Sequence, residues 1–434
     1  MAIARTHAAT LVGVTGHAVE VEADLSAGLP GLTFTGLPDT TVVEARERVR
    51  AAVVNSGAAW PNRRITVALL PADVRKAGSI FDVALAVAIL AAAATVPAAA
   101  LADCAWVGEL GLDGQVRPVR GVLPAVMALA RAGITKLVVP AANAAEAALV
   151  PGLDIRAASH LREIIGWLRS EHGPPPRAER GAEHPALPGP DLGDVVGQGV
   201  PRRALEVAAA GGHHLFFRGA PGSGKTMLAE RLPGILPPLD DEQALEVTAI
   251  HSVSGRLAPG APLLRLPPLQ APHHTATVAA LVGGGSGLAR AGAISLAHRG
   301  VLFLDEAPEF APTVLDALRQ PLETGRVVLH RSGGAVIYPA RFLLVMAANP
   351  CPCGVPRERD CSCPSMARRR YQQRLSGPLR DRIDIQVDVA PVARAELMAT
   401  DPCAEASSAV AGRVAAARSA AAARWARFGW ATNA

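Results

Sequence analysis

An eight-residue segment at positions 219–226 carries glycines, a lysine and a threonine at the spacing that holds a polyphosphate. Its members are Gly219, Ala220, Pro221, Gly222, Ser223, Gly224, Lys225 and Thr226. The glycines let backbone N–H groups turn toward phosphate oxygens, the helix that follows adds a favourable dipole, and Thr226 offers its hydroxyl to Mg²⁺. Lys225 is one of three lysines among 43 cationic side chains, the other 40 being arginine. A lysine provides the compact charge that β- and γ-phosphates need, so the segment predicts an ATP-binding loop.

Two consecutive carboxylates, Asp305 and Glu306, end an apolar run that begins at Gly300. The run is typical of a buried strand, so both side chains should emerge at the edge of a sheet. We expect Asp305 to hold Mg²⁺, directly or through water, and Glu306 to polarise an attacking water. A strand at 214–218 and a helix at 227–232 should flank the phosphate loop.

Four cysteines form a second chemical cluster, with Cys351 and Cys353 separated by seven residues from Cys361 and Cys363. Four thiolates could close a tetrahedral Zn²⁺ site, which would be structural because no coordination position stays open. Reduced free thiols and disulfides are the alternatives, of which disulfides fit a reducing compartment least well. If zinc binds, it should pin the loop just after Asn349.

The chain is long enough, at 434 residues, for two or three domains. Half of its residues are hydrophobic but only 3% are aromatic, so the cores must consist of Ala, Val, Leu and Ile. Residues 1–168 mix strands (66–70 and 136–140) with helices (42–55 and 122–132), residues 169–190 resemble a linker, and residues 191–393 alternate strand and helix. We therefore predict an α/β fold whose second domain is a parallel sheet covered by helices. Residues 394–434 should begin a helical segment, with a helix at 404–426.

The apolar stretch at 83–102 is long enough to suggest a membrane span, but alanine dominates it and Pro97 interrupts it. A buried helix followed by a turn is the better interpretation. The N-terminus lacks the pattern of a signal peptide, so we expect a cytoplasmic protein without a membrane partner. The formal charge of +5 and the pI of about 9.1 permit binding to nucleic acid without requiring it.

Several longer blocks are more specific than the phosphate loop alone. They are Ala271-Pro272-His273-His274-Thr275, Ile294-Ser295-Leu296-Ala297-His298, Gln320-Pro321-Leu322-Glu323, Asn349-Pro350-Cys351-Pro352-Cys353-Gly354 and Asp381-Arg382-Ile383-Asp384. With these blocks the chain resembles, essentially end to end, the magnesium chelatase-like AAA+ ATPases of the YifB/ComM type. The resemblance implies an AAA+ P-loop domain that forms a homo-oligomeric ring, usually a hexamer, with ATP between subunits. For the ComM type it implies a DNA helicase that drives branch migration in natural transformation.

The same resemblance assigns further residues. Asn349 matches the polar sensor that orients the lytic water, and Arg382 matches the arginine finger that reaches the γ-phosphate in the neighbouring subunit. An ion pair of Arg382 with Asp381 or Asp384 is the alternative. Val196 and Gln198 lie in a segment similar to the one that packs beside adenine. His273 and His274 fall in an insertion expected to face the ring pore, where contact with DNA, contact with a metal and a plain loop role all stay open.

The first domain resembles the α+β Lon protease-like fold, most clearly at residues 108–119. Lon uses a serine–lysine dyad, but Val122 and Leu123 stand here where the catalytic lysine would follow. Without a base a serine is not activated, so we do not expect peptidase activity. Family members continue past the region of residue 434 into a helical lid with a second arginine. We therefore expect residues 394–434 to hold an incomplete lid and nucleotide-dependent assembly to be weakened.

Three functions remain in competition. The first is an ATP-driven motor on single-stranded or branched DNA, which the Lon-like domain and the cysteine segment favour. The second is a chelatase-type ATPase subunit that conditions a partner enzyme for Mg²⁺ insertion into a porphyrin. The third is a nucleotide-gated assembly protein without turnover.

Overall fold

Two separate sheets organise the chain in this computed structural model, which describes residues 3–181, 189–285, 290–331, 334–355, 360–393, 405–428 and 432. The chain divides into two units. Unit 1 comprises Met1–His184, Thr248–Leu263 and Arg331–Gly334, and unit 2 comprises Pro185–Val247, Leu264–His330 and Ala335–Ala434.

Unit 1 is built on a seven-stranded mixed sheet in the order β3-β4-β2-β1-β5-β8-β9. Strands β1, β2 and β4 pair antiparallel, whereas β5, β8 and β9 continue parallel from β1. The strands are β1 (Ile3–Val12), β2 (Thr15–Ser26), β3 (Gly31–Thr35), β4 (Arg64–Leu70), β5 (Cys104–Trp106), β6 (Glu109–Leu110), β7 (Val116–Arg117), β8 (Lys136–Pro140) and β9 (Asp154–Ala158). The helices are α1 (Thr40–Asn55), α2 (Asp82–Ala92), α3 (Val122–Arg131), α4 (Ala144–Ala147) and α5 (Leu161–Leu168).

Helix α2 explains the apolar stretch that resembled a membrane span. All eleven of its residues are buried in the core of unit 1, and its small alanines let it pack against β1 and β2. The helix ends at Ala92, within the apolar stretch, and residues 98–100 form a separate 3₁₀ turn. Among the described residues, no helix combines the length and the apolarity that crossing a membrane requires.

Asp82, the first residue of α2, is fully buried and forms an ion pair with Arg48 of α1. Arg48 Nε donates to one carboxylate oxygen at 2.9 Å, and Leu110 N–H donates to the same oxygen at 3.2 Å. Burial raises the pKa of Asp82 to about 6, although the hydrogen bond and charge of Arg48 oppose the shift. The desolvation of this carboxylate therefore outweighs its pairing.

Unit 2 is built on a five-stranded parallel sheet in the order β11-β14-β17-β10-β18. Its strands are β10 (Leu215–Gly219), β11 (Leu269–Gln270), β14 (Val301–Leu304), β17 (Leu343–Ala348) and β18 (Ile385–Val389), with the ribbons β12 (Gly283–Gly284), β13 (Arg290–Ala291), β15 (Arg326–Arg331) and β16 (Gly334–Pro339) outside that sheet. The helices are α6 (Gly199–Gly211), α7 (Lys225–Arg231), α8 (Asp241–Val253, whose residues from Thr248 onward belong to unit 1), α9 (Val278–Val282), α10 (Ala293–Leu296), α11 (Pro312–Asp316), α12 (Arg319–Thr324), α13 (Ser365–Gln373), α14 (Gly377–Arg380) and α15 (Ser407–Trp425).

The order of the sheet positions the phosphate loop. Strand β10 lies between β17 and β18, and the next strand in the chain, β11, lies at the far edge beyond β14. In an open parallel sheet, ligands bind outside the carboxyl ends of strands where such connections diverge. The loop after β10 emerges at that position, beside the ends of β17 and β14.

The predicted mixed α/β fold with a parallel sheet is confirmed, and so are its main elements. The strand predicted at 136–140 is β8 itself, and the one predicted at 66–70 lies within β4. The strand predicted at 214–218 is displaced by one residue in β10, because His214 lies before the first strand residue and Gly219 still pairs with Val389. The helix predicted at 404–426 spans Ser407–Trp425, and residue 404 lies outside the described residues, as does the 182–188 part of the predicted linker.

Candidate nucleotide-binding site

The phosphate loop connects β10 to α7 and is shaped by two of its glycines. Gly224 has a φ of +94°, a left-handed conformation that glycine adopts without strain. At Gly219, a Cβ would lie 2.3 Å from the backbone oxygen of Val389 in β18. Glycine at position 219 is therefore required by the close approach of β18, and glycine at 224 by the turn into the helix.

The Lys225 ammonium lies inside the loop rather than in solvent, and the residue is only 7% exposed. Its Nζ donates to the backbone oxygens of Gly219 and Ala220, both at 2.8 Å, and to Asn349 Oδ1 at 3.2 Å. Burial lowers its pKa, while the charges of Asp305 and Glu306 partly restore it. The loop thus holds a positive charge where phosphate oxygens would enter.

Asp305 follows the last residue of β14, and its carboxylate faces the phosphate loop. Oδ2 accepts a hydrogen bond from Thr226 Oγ1 at 2.7 Å, and Oδ1 accepts one from the Glu306 backbone N–H at 2.9 Å. A hydroxyl and a carboxylate oxygen, the ligand types that Mg²⁺ prefers, are thereby brought together. Ser223 Oγ is a buried loop atom without a hydrogen-bond partner among the described residues, so the loop also offers a hydroxyl to a phosphate oxygen. The donor set fits Mg²⁺ with a polyphosphate.

Glu306 has a left-handed backbone, with φ +50°, which turns the chain sharply out of the strand. Its side chain is half exposed, and Oε2 lies 3.6 Å from Nδ1 of His274. His274 stacks in turn on His273, with ring centroids 4.0 Å apart. The structure therefore places His274 beside the carboxylate expected to polarise water.

The Ala271-to-Thr275 block of the sequence indicated that His273 and His274 were of interest. It did not predict that His274 lies beside Glu306.

The phosphate loop, the acidic pair and Asn349 line one cleft of about 460 Å³. Asn349 directly follows β17, the strand that lies between β14 and β10. The lining consists of Pro221, Gly222, Gly224, Lys225, Thr226, Met227, Asp305, Glu306, Ala348 and Asn349. The adjacent carboxyl ends of β10, β14 and β17 position the predicted lysine, acidic pair and polar residue around the same space.

The predicted adenine-side residues precede α6. Gln198 has φ +56°, and its Nε2 donates to the backbone oxygens of Ser223 at 3.0 Å and Ala390 at 2.6 Å. This side chain ties the phosphate loop to the end of β18. Val196 is half-buried in the same segment, next to the fully buried Val195.

Arg382 is partnered within its own chain. Its Nη1 donates to the backbone oxygen of Pro378 at 2.6 Å, and Nη2 forms an ion pair with Glu323 at the end of α12. The alternative of an ion pair with Asp381 or Asp384 was therefore wrong about the partner, which is Glu323. Sequence reasoning missed Glu323, although the quoted Gln320-to-Glu323 block contains it.

The predicted metal ligands Cys351, Cys353, Cys361 and Cys363 converge just beyond Asn349, and their sulfurs all lie within 4.8 Å of one another. No disulfide joins these four cysteines in the structure, an arrangement that both the zinc and the free-thiol alternatives require.

Comparison with known proteins places these features in a family. The model of the family described as magnesium chelatase, subunit ChlI, matches residues 191–397, and that of subunit ChlI of Mg-chelatase matches residues 21–143. YifB of Escherichia coli is 42% identical over 423 residues, covering 96% of this chain and 82% of its own length. The chain belongs to the YifB/ComM-type magnesium chelatase-like family. This membership suggests an AAA+ ATPase that uses ATP and Mg²⁺.

Other relatives agree with this assignment. An uncharacterized protein of Mycobacterium tuberculosis is 52% identical over 434 residues, which is all of this chain and 86% of the relative. The competence protein ComM of Haemophilus influenzae is 42% identical over 415 residues, or 94% of this chain and 81% of its own. Similarity to Lon protease is weaker: the Rhizobium meliloti enzyme is 28% identical over 199 residues, which is 43% of this chain and 24% of its own.

Proposed function

We propose that this YifB/ComM-type protein binds Mg²⁺·ATP in the 460 Å³ cleft and hydrolyses it. The observation that carries the proposal is the convergence of Lys225, the Thr226–Asp305 pair and Glu306 on one space. Lys225 would release its backbone oxygens and turn its ammonium toward the β- and γ-phosphates. Its burial keeps water from screening that charge, which strengthens the interaction.

The metal site is assigned to Thr226 and Asp305, whose oxygens are 2.7 Å apart. Bound Mg²⁺ would neutralise charge that develops on the phosphate oxygens. The Asp305 carboxylate is kept in orientation by the backbone N–H of Glu306.

Glu306 is assigned to the attacking water. Its half-exposed carboxylate borders the cleft but stays open to solvent, as a group that must accept a water proton needs to be. Asn349 would help to orient that water, and its amide already reaches Lys225. The catalytic set in one chain is then Lys225, Asp305, Glu306 and Asn349.

Arg382 would complete the site from a neighbouring subunit, in a ring that we propose to be a hexamer. A guanidinium supplied from outside stabilises charge on the transferred phosphoryl group. In the single chain Arg382 is bound by Glu323, so engagement of a neighbour's nucleotide must break or share that ion pair.

We propose DNA, single-stranded or branched, as the substrate that ATP hydrolysis moves, with branch migration in natural transformation or recombination as the process. The 42% identity with a competence protein supports this choice, as does the basic pI of about 9.1. Cytoplasm is the location that this role requires.

The proposed domain organisation is a Lon protease-like domain at 1–168, a linker at 169–190, an AAA+ core at 191–393 and the start of a helical lid at 394–434.

A chelatase-type subunit is the second candidate, because the matching family models are described as chelatase subunits. ATP hydrolysis measured with and without forked DNA distinguishes the two. The motor predicts that forked DNA stimulates hydrolysis and that labelled strands are displaced in an ATP-dependent manner. Hydrolysis that is indifferent to DNA but stimulated by a chelatase partner would favour the second candidate. Binding of ATP without any turnover would favour an assembly protein.

A further inference from the structure

Four cysteine sulfurs converge at the end of β17 without bonding to one another. Sγ of Cys351 lies 3.1 Å from that of Cys353 and 3.4 Å from that of Cys361, and Cys353 Sγ lies 3.6 Å from Cys361 Sγ. Cys363 completes the group within 4.8 Å. A disulfide would require about 2.0 Å between sulfurs, so these contacts are those of separate thiols.

The size of the cluster fits a single metal ion. Zinc bound by four thiolates has Zn–S distances of about 2.3 Å, which places the sulfurs of a regular tetrahedron about 3.8 Å apart. The separations among Cys351, Cys353 and Cys361, from 3.1 to 3.6 Å, are slightly shorter than that value, and all four sulfurs lie within 4.8 Å, so small movements bring them to it. An iron–sulfur cluster distributes its cysteines over two or more irons and would spread the sulfurs further.

The surrounding backbone is arranged to support thiolates. The backbone N–H of Gly354 donates to the backbone oxygen of Cys351 at 3.3 Å, which closes a tight turn around the first two cysteines. Such a turn orients the ligands. Helix α13 begins two residues after Cys363 and carries three consecutive arginines, residues 368–370.

The cluster also touches the nucleotide cleft. Cys351 lies two residues after Asn349, whose amide contacts Lys225. Gly354 packs against Pro221 of the phosphate loop, so closely that a Cβ at 354 would lie 3.3 Å from Pro221 Cγ. Ordering the cysteine loop therefore restrains two walls of the cleft at once.

We propose that Cys351, Cys353, Cys361 and Cys363 bind one structural zinc ion, and that this zinc loop supports the phosphate loop and Asn349. The four thiols lose four protons on binding, so that Zn²⁺ with four thiolates carries a net charge of −2. No coordination position stays open, so the ion takes no part in hydrolysis.

Metal content tests the site without any reference to ATP hydrolysis. Purified full-length protein should retain about one zinc per chain after dialysis, measured by inductively coupled plasma mass spectrometry. The double variant Cys361→Ser/Cys363→Ser should lose at least about nine-tenths of it, in line with the loss of two ligands. Cys104→Ser, which changes a buried cysteine of unit 1, is the matched control and should retain full zinc.

Wild-type protein that contains iron, disulfides or no metal would overturn the proposal, as would a double variant that keeps its zinc. If the double variant does not fold, wild-type protein exchanged into Co²⁺ should show the visible absorption of tetrahedral cobalt thiolate. A spectrum without it would contradict the site.

Support of the cleft is measured by the affinity for a fluorescent ATP analogue. Loss of zinc should lower that affinity measurably, because the contact of Gly354 with Pro221 and the position of Asn349 lose the support of the cysteine loop. Unchanged affinity in a zinc-free, folded variant would remove the supporting role and leave the metal site standing.

Discussion

Replacement of Lys225 by methionine removes the charge of the phosphate loop while keeping a long side chain. In the free protein Nζ is held by the oxygens of Gly219, Ala220 and Asn349. On ATP binding the ammonium exchanges these partners for phosphate oxygens. We therefore expect the variant to bind Mg²⁺·ATP much more weakly than wild type.

The magnitude follows from the burial of the group. A hydrogen bond to a charged partner contributes about 1.5–3 kcal/mol. Lys225 would form two such bonds to phosphate oxygens and give up its contacts in the free protein, so its net contribution to the free energy of ATP binding is about 3 kcal/mol. Because burial already lowers the pKa of Lys225, the desolvation cost is largely present before ATP arrives. A loss of about 3 kcal/mol corresponds to roughly a 150-fold higher Kd.

Titration with a fluorescent ATP analogue in the presence of Mg²⁺ measures this Kd. Lys136→Met is the matched control, since Lys136 is an exposed lysine in β8 of unit 1, and it should bind like wild type. Folding is checked by urea unfolding of both variants. An affinity of folded Lys225→Met within about threefold of wild type, which is less than 1 kcal/mol, would refute the assignment.

Three further predictions concern packing, pH and the ring. Gly219→Ala should lower the free energy of unfolding, measured by urea titration, by about 2 kcal/mol, because the new Cβ would lie 2.3 Å from a backbone oxygen of β18. Gly377→Ala is the control: a Cβ there meets no atom, so the free energy of unfolding should change little. Because the pKa of Asp82 is raised to about 6 in the folded protein, protonation of this carboxyl favours the folded state. This contribution to the free energy of unfolding, up to about 3 kcal/mol, is complete below about pH 4 and disappears as the pH rises through 6. Asp82→Asn lacks that pH dependence, so a wild-type advantage that grew with pH in urea unfolding at pH 4.5 and 7.5 would contradict the sign. Arg382→Ala should keep its affinity for ATP but hydrolyse it about 10³-fold more slowly. If Arg382 acts between subunits, mixing this variant with Lys225→Met should restore part of the hydrolysis rate. No recovery in the mixed rings would argue against that role.

The sequence predicted most of the groups that line the cleft because they lie at fixed positions after strands. Lys225 follows β10, Asp305 follows β14 and Asn349 follows β17, and parallel strands bring such positions to one edge. The parallel sheet and the main helices followed from apolar periodicity in the same way.

Contacts between distant segments were not predictable from these patterns. The pairing of Arg382 with Glu323 joins residues 59 positions apart, and the contact of His274 with Glu306 joins residues 32 positions apart. The packing of Gly354 on Pro221 is of the same kind. Side-chain partners of this type depend on how loops fold over the sheet, for which spacing along the chain carries no signal.

The central claim is that this cleft hydrolyses ATP with Glu306 as the group that polarises water. The most direct test is the release of inorganic phosphate from Mg²⁺·ATP by wild type and Glu306→Gln, with the affinity for ATP measured alongside. We predict turnover in wild type, a loss of at least about 10²-fold in the variant, as for removal of a general base, and an unchanged Kd for ATP. Hydrolysis by Glu306→Gln at the wild-type rate would contradict the account.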